Sequence, residues 1–150
     1  MSDLEGFAEL THLLREVSAR VSRRGVEVAS EYELTPMAAN ALWYAGVGDT
    51  APSMRELAHR VRTDPSRMTA VADELEARGL LERQTDPTNR RVKLLVLTPT
   101  GAKLRRSLVE RVYQGSPIER LSPADRAELS ATLARALGVS TSSELPLKER

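Results

Sequence analysis

At Thr35-Pro36, Asp64-Pro65, Thr98-Pro99 and Ser122-Pro123 a side chain that accepts hydrogen bonds stands directly before a proline at the head of a helix-forming stretch. Such a residue caps the unpaired N–H groups of a helix's first turn. Proline at the first helical position loses nothing, because its missing N–H would have no partner there. Ser53 followed by Glu56 reads as a capping box. Helix starts are therefore expected near residues 36, 54, 65, 99 and 123. Breakers close the helices at Gly46 and Gly48, Gly79, Gly115 with Pro117, and Gly138. A chain of 150 residues punctuated this way is expected to form one domain of short helices with helical extensions.

One segment breaks the helical pattern. Leu80-Leu81-Glu82-Arg83-Gln84 reads as a short strand, and Val92-Lys93-Leu94-Leu95-Val96-Leu97 as its partner, rich in residues that favour strands. The polar connection between them, Thr85 to Arg91, contains turn formers and two adjacent arginines, Arg90 and Arg91. Ahead of all this, Phe7, Leu10, Leu14, Val17 and Val21 follow a three-four spacing, a helical heptad seam that decays at Arg23-Arg24-Gly25. One helix cannot bury that stripe alone, so it must meet either the C-terminal helices or a second copy. The expected order is helix, helix, short helix, helix, β-hairpin, helix, helix, with a loose polar tail from Ser140.

Several functions are excluded by what the chain lacks. It has no cysteine, hence no disulfide framework, thiolate zinc site or thiol switch. His12 and His59 are too few and too far apart to suggest a metal site, and His59 is expected on a helix surface. No Gly-rich phosphate loop, nucleophile elbow or convergent set of titratable groups appears, so neither an enzyme nor a cofactor is expected. No apolar run approaches the roughly 18 residues of a membrane span. The opening residues Met1 to Glu5 lack a signal peptide's basic start, so a cytoplasmic location is expected. The near-neutral net charge of +1 hides an asymmetry. Residues 52–106 hold twelve basic side chains against seven acidic ones, a net of +5, which leaves −4 for the two flanks. A basic middle against flanks that are acidic taken together suggests a polyanion-binding segment, the plain alternative being a mixed solvated surface.

Two helices over about 54–61 and 65–78, joined by a very short turn and followed by a hairpin with a basic tip, have the arrangement of a winged helix-turn-helix. The sequence resembles the MarR family of bacterial transcription regulators. The resemblance is carried by Leu34-Thr35-Pro36, Met54-Arg55-Glu56-Leu57-Ala58, Asp64-Pro65-Ser66-Arg67-Met68-Thr69 and the run Leu75 to Arg83. Asp86-Pro87-Thr88-Asn89-Arg90-Arg91, Leu97-Thr98-Pro99-Thr100-Gly101 and Leu121 to Arg126 with Leu129 and Leu133 complete it. It runs from about residue 34 to 137, and the order and spacing of the pieces are more specific than any one of them.

The fold expected is mainly α with a small β-hairpin wing. A winged helix-turn-helix lobe over 34–98 lies between an N-terminal dimerisation helix, 1–33, and C-terminal dimerisation helices, 99–138, with a tail over 139–150. Met68, Val71, Ala72 and Leu75 form the apolar stripe of the recognition helix, which leaves Ser66, Arg67, Thr69, Ala70 and Asp73 facing away from it. Only the N-terminal turns of such a helix reach base edges. Arg67 is the leading base reader, because a guanidinium grips guanine with two hydrogen bonds. Ser66 and Thr69 are candidates for phosphate or base contact. Asp73, Glu74 and Glu76 make the far end acidic. Ser53, Arg55, Arg60 and Arg62 are candidates for phosphate contact from the first helix and its flanks. Arg90 and Arg91 suit a narrow minor groove. Where the resembled family often has an aspartate to orient the wing arginine, this chain has Asn89, an acceptor without charge, with Asp86 as the alternative.

The resemblance implies a homodimer reading two half-sites of double-stranded DNA. Phe7, Leu10, Leu14 and Val17, with Leu108, Val112, Leu129 and Leu133, are the expected interface. It also implies a small aromatic or anionic effector between the dimer helices and the lobe, for which His12, Arg15, Trp43 and Tyr44 are candidates. The competing reading makes Trp43 core packing and Arg15 a surface or interface charge. The function expected is a sequence-specific, operator-binding regulator that represses. The alternative is a winged-helix dimer used only for protein contacts, which has no need of a +5 middle or a basic wing tip.

Overall fold

The computed structural model describes residues 3–47 and 50–139. Six α-helices and one antiparallel hairpin follow in the expected order: α1 (Asp3–Glu31), α2 (Pro36–Ala45), α3 (Met54–Val61), α4 (Pro65–Ala77), β1 (Leu81–Thr85), β2 (Lys93–Leu97), α5 (Pro99–Tyr113) and α6 (Pro123–Leu137). A 3-10 turn, Pro117–Arg120, precedes α6 and has no counterpart in the sequence reading. Gly48 and the tail from Ser140 lie outside the described residues.

The caps work as their chemistry requires. Thr35, Asp64, Thr98 and Ser122 each accept a backbone N–H three residues on. At Ser53 the box is reciprocal, since the Glu56 carboxylate accepts the Ser53 N–H at 2.7 Å. Gly79 and Gly138 close α4 and α6 with positive φ. Helix α1 does not stop at Gly25. One glycine costs a helix only about 1 kcal/mol, and Val28 and Ala29 beyond it are fully buried in the core. Arg24 also ties the helix to α5, its Nε donating to the carbonyls of Arg111 at 3.2 Å and Gln114 at 3.1 Å.

The core gathers Val28, Leu42, Leu57, Met68, Leu75 and Leu95, so every element of the helix-turn-helix and its wing contributes to one apolar mass. Leu108 and Val112 belong to this mass as well. The sequence expectation set them at an interface between copies; in the single chain their apolar faces already pack against α1 and α2. In the hairpin Leu81 faces Leu97 and Thr85 faces Lys93. The segment before α3 joins its edge, with a bridge between Ser53 and Leu94 and a 2.8 Å bond from the Leu95 N–H to the Pro52 carbonyl. The wing and the start of α3 are thereby held as one piece. Among the described residues no helix is long and apolar enough to cross a membrane.

Candidate nucleic-acid interface

Helix α4 presents its stripe inward as expected, with Met68, Val71, Ala72 and Leu75 buried. Ser66, Arg67, Thr69 and Ala70 are all exposed on the opposite side of its first turns. Three residues separate α3 from α4, and Arg62 makes the turn with φ 60°, a left-handed conformation that costs a side-chain-bearing residue about 1 kcal/mol or more. The conformation leaves the Arg62 side chain exposed beside the start of α4.

Asp64 does two things at that start. One carboxylate oxygen accepts the Arg67 N–H at 2.9 Å, and the other lies 3.4 Å from the Arg67 Nε. The backbone bond and, after it, the guanidinium's charge hold the Asp64 carboxyl below its ordinary range. Arg67 is thus folded back along the helix end, but its side chain is 73% exposed. An exposed pair of this kind is weakened by solvent and salt, so a better partner displaces it at little cost. Ser66 does not cap the helix, because Asp64 does. The Thr69 hydroxyl donates to the Pro65 carbonyl at 2.9 Å, so it offers lone pairs rather than a proton. At the far end of α4 the acidic residues are not left bare. Arg83 of β1 pairs with both Asp73 and Glu76, which fastens the wing to the helix and cancels part of the acidic charge.

The wing tip is a hydrogen-bonded turn. The Asp86 carboxylate accepts both the Thr88 N–H at 2.8 Å and the Thr88 hydroxyl at 2.7 Å, and these bonds hold its carboxyl below its ordinary range. Asn89 Oδ1 accepts the Arg91 backbone N–H at 3.2 Å. Both side chains shape the turn, and neither reaches the Arg91 guanidinium. The departure from aspartate at position 89 thus leaves the wing arginine without a carboxylate that orients it in this structure. Among the described residues no hydrogen bond or ion pair engages the side chain of Arg90 or Arg91, and both are exposed.

The basic middle divides by task. Arg55, Arg62, Arg67, Arg90 and Arg91 are exposed. Arg60 is not available for phosphate: its guanidinium donates to the carbonyls of Tyr44 at 3.3 Å and Val47 at 2.8 Å. Arg105 donates to the Trp43 carbonyl at 2.9 Å. Burial lowers its readiness to hold a proton. Together the two supply the positive charge that α2 lacks in its own last turn. Arg78 does the same for the end of α1, donating to Glu33 at 2.9 Å and Tyr32 at 3.2 Å. These caps arrive from far along the chain and leave no local pattern. His59 is exposed on α3.

A cavity of about 300 Å³ lies where α1, α2 and α5 meet, lined by Val21, Val26, Asn40, Trp43, Tyr44 and Leu108 among others. Trp43 and Tyr44 are therefore brought together, each half-buried against the core. His12 and Arg15 are not among the lining residues. They sit exposed on the N-terminal half of α1, beside a stripe in which Phe7 is 67% and Leu10 57% exposed. Leu14 and Leu129 are also exposed, and Val17 and Leu133 half-buried.

Comparison with known proteins places this geometry. The family model described as MarR family matches residues 49–93, the span from before α3 to the start of β2. The chain is 28% identical over 109 residues to the HTH-type transcriptional regulator YsmB of Bacillus subtilis, covering 72% of this chain and 73% of that one. CouR from Rhodococcus jostii RHA1, solved bound to p-coumaroyl-CoA, superposes with a TM-score of 0.68 at 28% identity, over 85% of this chain and 90% of CouR. A MarR-family transcriptional regulator from Rhodococcus sp. RHA1 gives 0.67 at 27% identity, over 86% and 92%.

Proposed function

We propose that this chain is a MarR-family winged helix-turn-helix transcriptional regulator, a homodimeric repressor of the cytoplasm that binds a pseudo-palindromic operator. One observation carries the reading: the N-terminal end of α4 and the wing tip both present exposed arginines, Arg67, Arg90 and Arg91, held only by a weak surface pair or by nothing. In this reading Arg67 reads a base edge in the major groove, with Ser66, Thr69 and Ala70 against the same groove wall. Arg90 and Arg91 enter the minor groove with Asn89 shaping the approach. Ser53, Arg55 and Arg62 contact phosphates. Two copies would join through the exposed stripe Phe7, Leu10, Leu14 and Val17 of α1 and through Leu129 and Leu133 of α6, one half-site each.

The cavity beside Trp43 supports relief by a small ligand. It touches α1 and α5 on the dimer side and α2 on the lobe side, so an occupant favours one setting of lobe against dimer over the other. Its lining residues include no charged side chain, which favours an aromatic ligand over an anionic one. CouR's ligand, p-coumaroyl-CoA, carries an aromatic acyl group on an anionic carrier, and only the acyl group is of that kind.

Fluorescence anisotropy on the intergenic DNA upstream of the chain's own gene, beside a scrambled duplex at two salt concentrations, tests the reading. A preference for the native duplex that survives physiological salt is expected. Absence of preference on any intergenic duplex tried, at both salts, sinks it in favour of a protein-binding module.

A further inference from the structure

One cluster of charge has no task in the DNA interface or the aromatic-lined cavity. Arg20, Arg23 and Arg24 of α1 and Arg120 of the 3-10 turn line a cleft of about 230 Å³, with Glu27, Gly115 and Pro117 completing it. Four guanidinium groups surround one small space, and the carboxylates nearby, Glu16, Glu27, Glu31 and Glu119, engage Arg20, Arg24 and the Gly115 N–H but not the other two arginines. Arg20 pairs with Glu16 at 3.3 Å, one turn back along α1. Arg24 lies 3.2 Å from Glu27 and 3.8 Å from Glu31, and its Nε is spent on the α5 carbonyls. Among the described residues no hydrogen bond or ion pair engages the guanidinium of Arg23 or of Arg120.

The cleft is separate from both surfaces already described. At 100° per residue, Arg20, Arg23, Arg24 and Glu27 fall on the opposite face of α1 from Val21, Ser22, Gly25 and Val26, which line the cavity. It is also remote from the DNA-reading end of α4. Arg78, just past the C-terminal end of α4, is what reaches α1, at Tyr32 and Glu33. Arg23 lies nine residues further back along α1, about 13 Å at the rise of a helix.

We propose that this cleft is a binding site for a small phosphate-bearing anion. Guanidinium forks match phosphate oxygens two at a time, and several converging on one point suit a group with charge on all sides. The cleft has no aromatic wall, so charge and not ring stacking is what it selects. An anion seated there would bridge α1 to the turn that leads into α6.

Sodium pyrophosphate is the probe. Isothermal titration of the full chain, against sodium sulfate and chloride at matched ionic strength, should show saturable uptake of one pyrophosphate per chain. The R23Q/R120Q variant, with unchanged circular dichroism, should bind at least tenfold more weakly. R90Q/R91Q, at the wing, should bind as the parent does. No saturable uptake by the parent overturns the proposal. So does undiminished binding by R23Q/R120Q, or an equal loss in R90Q/R91Q, which would put the probe on the DNA surface. A change of mass by light scattering in R23Q/R120Q, with no uptake by the parent, assigns these arginines to subunit pairing instead.

Discussion

Arg60 and Arg62 stand two residues apart and do unrelated work. Arg60 caps the carbonyl end of α2, and its loss strands the buried Val47 carbonyl, whereas that of Tyr44 keeps the Val47 N–H at 3.2 Å. Arg60→Gln should cost about 2 kcal/mol in urea unfolding, while leaving the salt dependence of DNA binding unchanged. Arg62→Gly should do the reverse. It relieves a left-handed residue and so does not destabilise the fold, but it lowers affinity for any duplex and reduces the salt slope by about one. Base reading and backbone contact separate in the same way. Arg67→Ala should lower operator affinity by about 1–3 kcal/mol more than random-DNA affinity, whereas Arg90→Ala or Arg91→Ala weakens both. Equal losses on both duplexes for all three would refute the assignment of Arg67. Glu56 supplies a pH signature. The Ser53 N–H it accepts holds its carboxyl below the ordinary value of 4.5, so the folded state binds that proton less readily than the unfolded chain. Its contribution is therefore complete above the unfolded value and lost as pH falls through the lowered one. Glu56→Gln should differ most from the parent in stability near neutral pH, and the difference should shrink below about pH 4.5.

Helix starts were legible because a cap is a local device: a hydroxyl or carboxylate, a proline and three residues of backbone are enough to specify it. Helix ends at Gly46, Gly79, Gly115 and Gly138 were legible for the same reason, but the partners that helices pack against were not. The heptad seam fades at Gly25, and the burial of Val28 and Ala29 against other elements explains why the helix still runs on to Glu31. Leu108 and Val112 have the spacing of a seam, and spacing alone does not say whether the seam meets the same chain or another. The join of the wing to α5 shows why one glycine in the resembled motif is needed. A Cβ on Gly101 would stand 1.9 Å from the Leu80 carbonyl oxygen, a backbone atom that has no rotamer to escape into. The Thr98 N–H donates to that same oxygen at 3.2 Å, so α5 cannot back away without losing its start. Gly101→Ala should therefore cost about 3 kcal/mol or more in unfolding free energy. A loss below about 1 kcal/mol would mean that the helix shifts freely. Gly79→Ala, which meets open space but keeps a positive φ, should cost about 1 kcal/mol.

For the whole molecule, the unspent apolar surface lies at the end away from the DNA-reading helix. Phe7, Leu10 and Leu14 stand exposed along the N-terminal half of α1, and α6 buries only Ala134 while Leu137 is 74% exposed. A stripe of this kind on an isolated chain exposes several side chains whose burial is worth about 1.5–3 kcal/mol each, and a second copy provides matching stripes by symmetry. In the dimer reading, the acidic excess of the N-terminal flank would keep such a junction off the phosphate backbone, with the basic middle toward it. The dimer reading can be tested without touching any DNA-contact residue. L10E/L14E places two like charges on each copy at the proposed seam, where a symmetric partner brings two more. Size-exclusion chromatography with light scattering should then report a monomer whose circular dichroism is unchanged, because neither leucine contributes to the core. Operator affinity should fall at least a hundredfold, since a lone lobe reads one half-site and forfeits the second. Random-DNA binding, which depends on phosphates alone, should fall far less. A variant that remains dimeric would move the interface off α1. A monomer that still binds the operator as the parent does would mean that one lobe suffices, and the paired half-site model would fail with the dimer left unexplained.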